Sequence, residues 1–300
     1  MLPGRRIFYL CALPQKTMIN YNPKNWWGLI FQFHKSDTFR VLLPAMLSVA
    51  LFCTGISYLE HNILQRKFAG TMAIHSLLGF VISLLLVFRT NTAYERWWEG
   101  RKLWGSLVNS SRNLSLKLHT WTDKSDMEMR KRIAGQIADF SFVLKEHLRD
   151  RVVSGPAPEN AHQPNYIAGL LMDEVNTLYR NGTISGDQLL SLNIELNNMA
   201  DVCGACERIK KTPIPYSYSL FIKKFIFVYI LTMPFAFVLE FGYWTILMVT
   251  FVFYVLASIE IIAEEIEDPF GTDSNDLPTD DITETVRKSA YEILVIQPKL

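Results

Sequence analysis

Four apolar stretches set what this chain of 300 residues can become. Val41 to Leu59 runs 19 residues without a formal charge, and Thr71 to Phe88 runs 18 with a single histidine, His75. Phe225 to Leu239 and Tyr243 to Ser258 follow, parted only by Glu240, Phe241 and Gly242; the last continues to Ala263, broken by Glu260. A helix needs about 20 mainly apolar residues to cross a bilayer, and it must satisfy its own backbone polar groups there. The first two stretches meet that length alone, and the second two read as a hairpin. The expectation is four transmembrane helices, over 41–59, 71–88, 225–239 and 243–263.

Composition supports this and excludes other classes. Charged residues make up 20% of the chain, against about 25% in ordinary soluble domains. Thirty Lys+Arg balance 29 Asp+Glu, so the basic excess of a nucleic-acid binder is missing and no nucleic-acid partner is expected. With 49% hydrophobic and 13% aromatic residues the chain can bury a core, which excludes disorder. Cysteines at 11, 53, 203 and 206 are too few for a disulfide framework.

Orientation follows from the basic residues. Six fall in residues 1–40 (Arg5, Arg6, Lys16, Lys24, Lys35 and Arg40), two between the first spans, 19 from Arg89 through Lys224, none in the 240–242 turn and three after Ala263. The positive-inside rule then puts 1–40, 89–224 and 264–300 in the cytoplasm. The expected location is the inner membrane, multi-pass, with both termini cytoplasmic. The six basic residues are too dispersed for a signal peptide, and Ile7–Leu13 lacks a small-residue cleavage site.

The long insert reads as helices, and the fold class as all-α. No proline interrupts Asn91 to His119, so the second membrane helix is able to continue into the cytoplasm. Asp126 to Arg149 places Ile133, Ile137, Phe140 and Leu144 at helical spacing. Val153 to Pro164 has the composition of a loop, and Tyr166 to Tyr179 reads as a further helix. Ser185 with Gln188 three residues on has the form of a capping box, opening a helix to about Lys211. Pro213 and Pro215 must break that helix, since neither offers an N–H. No internal repeat is found.

Little in the chain nominates catalysis, and an enzyme is not expected. Cys203-Gly204-Ala205-Cys206 is a lone C-x-x-C with no second Cys pair or His pair placed to complete a zinc site, so it reads as two small residues packing on a helix face. His75 reads as a satisfied polar residue facing a neighbouring helix or a water path. The sequon Asn181-Gly182-Thr183 falls on the cytoplasmic side. No Gly-rich phosphate loop and no metalloprotease or hydrolase signature occurs.

Three stretches call for explanation. Residues 88–105 crowd Trp97, Trp98 and Trp104 with Arg89, Arg96 and Arg101 at the inner end of a span; an aromatic belt accounts for the first two Trp but not for Trp104. Residues 207–218 carry the kinked T-P-I-P segment into the third span. Residues 266–278 form an acidic turn after the fourth, where Glu264, Glu265 and Glu267 sit unfavourably at a helix C-terminus and should find basic partners.

Together these stretches resemble the bestrophin family, in particular its bacterial branch, over most of the chain. The motifs are A-Y-x-R-W-W-E-x-R-x-x-W-G (93–105) and D-P-F-G-x-D-x-N-D-L-P (268–278). The resemblance implies a homopentamer of four-span protomers around one axial pore that conducts small inorganic ions. The second span would line a hydrophobic neck through Leu77 and Val81, with Ile74 and Leu78 next. On spacing alone, Ile74, Leu77, Leu78, Val81 and Leu85 share a helix face that either lines a pore, packs, or meets lipid. Ile214 matches the cytosolic aperture. In the acidic turn, Asp273 and Asp276 fall on carboxylate positions of the family's calcium clasp, and Asp268 falls beside its backbone ligands. Ser274 and Asn275 replace acidic residues of the animal cluster, so calcium is not favoured and no other cofactor is expected. The family favours a chloride-type anion channel, with cation conduction known among bacterial members. The alternative is a non-conducting four-span scaffold or sensor acting through its cytoplasmic helices.

Overall fold

Each apolar stretch becomes part of a longer helix. The structure, a computed structural model, describes residues 37–64, 72–152, 157, 158 and 161–296. Cys11, the five basic residues from Arg5 to Lys35, and Arg66 and Lys67 between the first two spans lie outside the described residues. Among the described residues there are eight α-helices and no strand. Helix α1 (Asp37–Tyr58) runs into a π-helical turn at Leu59–Leu64. There follow α2 (Met72–Trp121), α3 (Met127–Leu148), α4 (Gln163–Arg180) and α5 (Gly186–Lys211). Helices α6 (Tyr216–Phe241), α7 (Trp244–Glu267) and α8 (Thr279–Tyr291) follow, the last running into a π-helical turn at Glu292–Ile296. Four of them, α1, α2, α6 and α7, are long and apolar enough to cross a membrane.

Helix α2 organises both halves. Its 50 residues span about 75 Å at 1.5 Å per residue, far more than the roughly 30 Å of a hydrocarbon core. The first part packs Ile82 and Leu86 with Cys53 of α1, Ile222 and Ile226 of α6 and Val249 of α7. The second part contributes Trp104, Leu107, Leu114 and Leu118 to a separate core shared with α3, α4, α5 and α8. Trp104 is fully buried there. It belongs to this second, extramembrane core and not to an aromatic belt.

Local chemistry sets the helix ends. Asp126 caps α3, accepting from the Met129 N–H at 3.0 Å. Arg130, fully buried, closes the α2–α3 corner by donating to the carbonyls of His119, Thr122, Asp123 and Leu294. Ser185 and Gln188 form the reciprocal capping box of α5, the kind of cap worth about 1 kcal/mol. Helix α4 starts at Gln163, earlier than composition suggests, because Pro164 sits in the first turn, where a missing N–H costs nothing. His162 caps it. Helix α6 likewise starts at Tyr216, directly after Pro215. Gly242, with φ +53°, makes the hairpin turn to α7.

The acidic turn is seated on α2 at Gly100. A Cβ there would stand 3.1 Å from the Phe270 ring and 3.2 Å from a Leu277 methyl. Gly100→Leu should therefore overpack this seat, costing about 1–3 kcal/mol and lowering the melting temperature in detergent. Gly100→Ala should cost less, since alanine recovers about 1 kcal/mol of helix propensity. A leucine variant that melts like the wild type would show that the turn does not depend on this contact.

Candidate functional site

Two features stand out in and beside the membrane helices: an open apolar face along the first part of α2 and the kinked segment at Ile214. Ile82 and Leu86 are buried on the inner side of α2, with Leu78 and Leu85 packed against the same cluster. On the other side Ile74 is 56% exposed, Leu77 64% and Val81 38%, and Leu84 and Phe88 are exposed beside them. The spacing put Leu78 and Leu85 on one face with Leu77; the structure instead turns both toward the chain's own helices. Leu84 and Phe88, which the spacing argument did not single out, share the open side. Apolar periodicity defines a face only to within about one residue when nearly every position is apolar, so sequence could not settle the rotation of this helix.

A charged bracket ties α2 to the kinked segment. Arg89, 1% exposed, pairs with Glu267 at 2.6 Å and lies 3.6 Å from Glu260. The other Glu267 carboxylate oxygen accepts the Ile214 N–H at 2.6 Å. Two turns further along α2, Arg96 donates to the carbonyls of Glu267, Thr212 and Ile209, at 3.0, 2.5 and 2.6 Å. The backbone groups that Pro213 and Pro215 leave without a helical ladder are thus held by side chains. Arg89 and Arg96 are seven residues apart, on one helix face, and that spacing was the signal in the sequence for this bracket.

The acidic turn packs against the same face. Trp97 donates its indole N–H to the Asn275 carbonyl at 3.0 Å and stacks with Tyr94 and Trp98. The carboxylates at the end of α7 do find partners: Glu264 pairs with Lys223 at 2.8 Å, Glu267 with Arg89, and Glu265 accepts from Asn275 Nδ2 at 2.6 Å. Asp268 and Asp273 are exposed, whereas Asp276 is 3% exposed. Asp276 Oδ2 accepts the Asp273 N–H at 2.6 Å, and Oδ1 has no hydrogen-bond partner among the described residues. Gly271 stands so close that a Cβ would approach Oδ2 to 2.7 Å.

Comparison with known proteins settles the family. The profile of the bacterial/fungal bestrophin proteins matches residues 18–292. The chain belongs to the bestrophin family. A voltage-dependent anion channel-forming protein of Nostoc sp. is 32% identical over 296 residues, covering 92% of this chain and 94% of the relative. YneE of Escherichia coli K12, with the same description, is 32% identical over 290 residues, 90% and 91% of the two chains. Among solved structures, a bacterial bestrophin homologue from Klebsiella pneumoniae aligns with a TM-score of 0.77 at 29% identity, over 86% of this chain and all of that one.

Other polar residues of this bestrophin have local explanations. His75 Nε2 lies 3.2 Å from Thr232 Oγ1 and its ring packs against Tyr229 and Phe237. Cys203 and Cys206 are buried in the extramembrane core as free thiols; burial pushes the Cys203 thiol up to about 12 and raises that of Cys206 as well, so neither behaves as a ready nucleophile.

Asp276 makes the stability of this bestrophin depend on pH. Burial, with Asp273, Asp268 and Glu265 adding like charge, pushes its carboxyl up to about 7. The group's contribution is therefore complete below about pH 4, the ordinary Asp range, and is lost as pH rises through the folded value near 7. Asp276→Asn removes the ionisation while keeping the shape. Melting temperatures from pH 5 to 8 should fall less steeply in the variant, which should be the more stable form at pH 8. Parallel curves for the two proteins would show that Asp276 is ionised throughout.

Proposed function

We propose that this chain is the subunit of an anion-conducting channel. Five copies would surround one axial pore in the inner membrane, with both termini cytoplasmic. The observation that carries the proposal is the bracket from Arg89 and Arg96 through Glu267 to Ile214. It couples the helix with an open apolar face to a segment held in irregular backbone. Such a face, repeated around an axis, is a hydrophobic constriction able to gate by dewetting, with Leu77 and Val81 at its centre and Ile74 beside them. Ile214 would narrow the cytosolic exit. The relatives described as voltage-dependent anion channel-forming proteins support conduction of small anions of the chloride type.

The proposal is tested by bilayer recording of purified protein in asymmetric salt. The reversal potential should follow the anion; a cation-selective value would reverse the ion assignment. Light scattering in detergent checks assembly, and a monomer would leave no axial pore and favour a non-conducting scaffold. Leu77→Ala with Val81→Ala should raise open probability or current with the assembly intact. Ile214→Ala should raise conductance or relax selectivity. Wild-type currents in all of these well-assembled variants would remove α2 and Ile214 from the pore.

For the acidic turn we propose a structural role rather than a standing calcium site. The residues fit calcium only in part. The unpartnered Oδ1 of Asp276 invites a cation, but its Oδ2 already accepts a backbone N–H. Positions 274 and 275 carry Ser and Asn where more carboxylates would help a hard cation. Calcium should therefore raise the melting temperature little or not at all. A large rise that disappears in Asp273→Asn with Asp276→Asn would establish the site, because only a native-state ligand stabilises by mass action.

A further inference from the structure

The extramembrane core gathers metal-type donors that are dispersed along the sequence. His147 lies in the last turn of α3, His162 caps α4, and Cys203 and Glu207 stand one turn apart on α5. Nε2 of His147 and Nε2 of His162 both reach the same oxygen, Glu207 Oε1, at 2.7 and 2.5 Å. The two rings stand 4.6 Å apart between centroids, inclined at 61°. Lys211 Nζ holds the other Glu207 oxygen at 3.2 Å, which leaves Oε1 to the imidazoles. The buried Cys203 Sγ lies 4.0 Å from Oε1.

We propose that His147, His162 and Glu207 bind a divalent transition-metal ion of the zinc type. Two imidazole nitrogens with one carboxylate form a borderline donor set. It suits zinc-like ions, whereas calcium and magnesium ask for oxygen shells. The three ligand atoms lie within 4.8 Å of one another. Around a tetrahedral ion with bonds near 2.0–2.1 Å neighbouring ligand atoms stand about 3.3 Å apart, so each Nε2···Oε1 contact, now 2.7 and 2.5 Å, need open by less than about 1 Å to admit it. The fourth position falls to water or to the Cys203 thiolate. Both imidazoles are about one-third exposed, at 30% and 33%, which leaves the ion a way in. One cost is visible: His162 Nδ1 accepts the Asn165 N–H at 3.2 Å. Ligation through Nε2 places the proton on Nδ1 and gives up that cap. In return the ion would cross-link α3, α4 and α5, and stiffen the last turn of α5, which leads directly to the Ile214 segment.

The test uses full-length protein in detergent, stripped with a chelator and titrated with cobalt(II) and, separately, zinc(II). One equivalent of cobalt per chain should produce the intense visible bands of a tetrahedral site, and zinc should raise the melting temperature. Glu207→Gln should abolish both effects. His162→Asn should do the same while keeping an N-cap, since Asn is a strong capping residue, so a loss there does not reflect a damaged helix start. Weak octahedral bands, no bands, or equal binding by the wild type and both variants would overturn the proposal. This test reads metal binding alone, so its outcome is independent of whether the protein conducts.

Discussion

The pairing of Arg89 with Glu267 is the contact on which the inner end of the membrane bundle depends. Both groups are largely withdrawn from water, and charges placed there are costly unless paired and hydrogen-bonded. The chain accepts that cost at a junction of three elements. Arg89 comes from α2, Glu267 closes α7, and the second Glu267 oxygen takes the Ile214 N–H. Removing Arg89 would strand both Glu267 and the buried Glu260 beside it, so the three elements are held in one arrangement. This is the use of a buried ion pair for specifying geometry rather than for raising stability.

The two long motifs of the sequence are two sides of one contact. Gly100 admits Phe270 and Leu277, Trp97 donates to Asn275, and Arg96 donates to Glu267. Arg96, Trp97 and Gly100 of the tryptophan-rich stretch thus answer residues of the acidic turn and of the end of α7, and Trp104 packs in the extramembrane core. That mutual dependence explains why either motif alone carries little information and the pair is distinctive. Changing one side without the other leaves a clash or an unpaired polar group.

What was legible in the sequence follows from how local the physics is. The four spans, the capping box at Ser185 and the break at Pro213 depend on residues a few positions apart, and the structure carries all of them. The start of α4 was misjudged because Pro164 reads as a loop residue unless it is recognised as first-turn proline. The rotation of α2 was not readable: Leu78 and Leu85 differ from Leu77 only in what the other helices place against them. The cluster at Glu207 was equally hidden. The C-x-x-C motif marks Cys203, but no histidine pair stands near it in sequence. The pair lies 45 and 60 residues away from Glu207, and only the packing of α3 and α4 against α5 supplies it.

The continuity of α2 carries the functional argument furthest. One unbroken helix holds the open apolar face at Leu77 and Val81, the bracket at Arg89 and Arg96, the seat at Gly100 and the part of the extramembrane core from Trp104 to Leu118. No proline interrupts its length, so displacement of the core at one end can reach the other as tilt or rotation. A small rotation moves Val81, the least exposed of the open residues, between the free side and the packed side. The contacts of Arg89 and Arg96 with Glu267, and of Glu267 with the Ile214 N–H, link any such rotation to the backbone at Ile214. The face and the kinked segment are therefore joined by direct contacts from one helix, without passing through the membrane cluster.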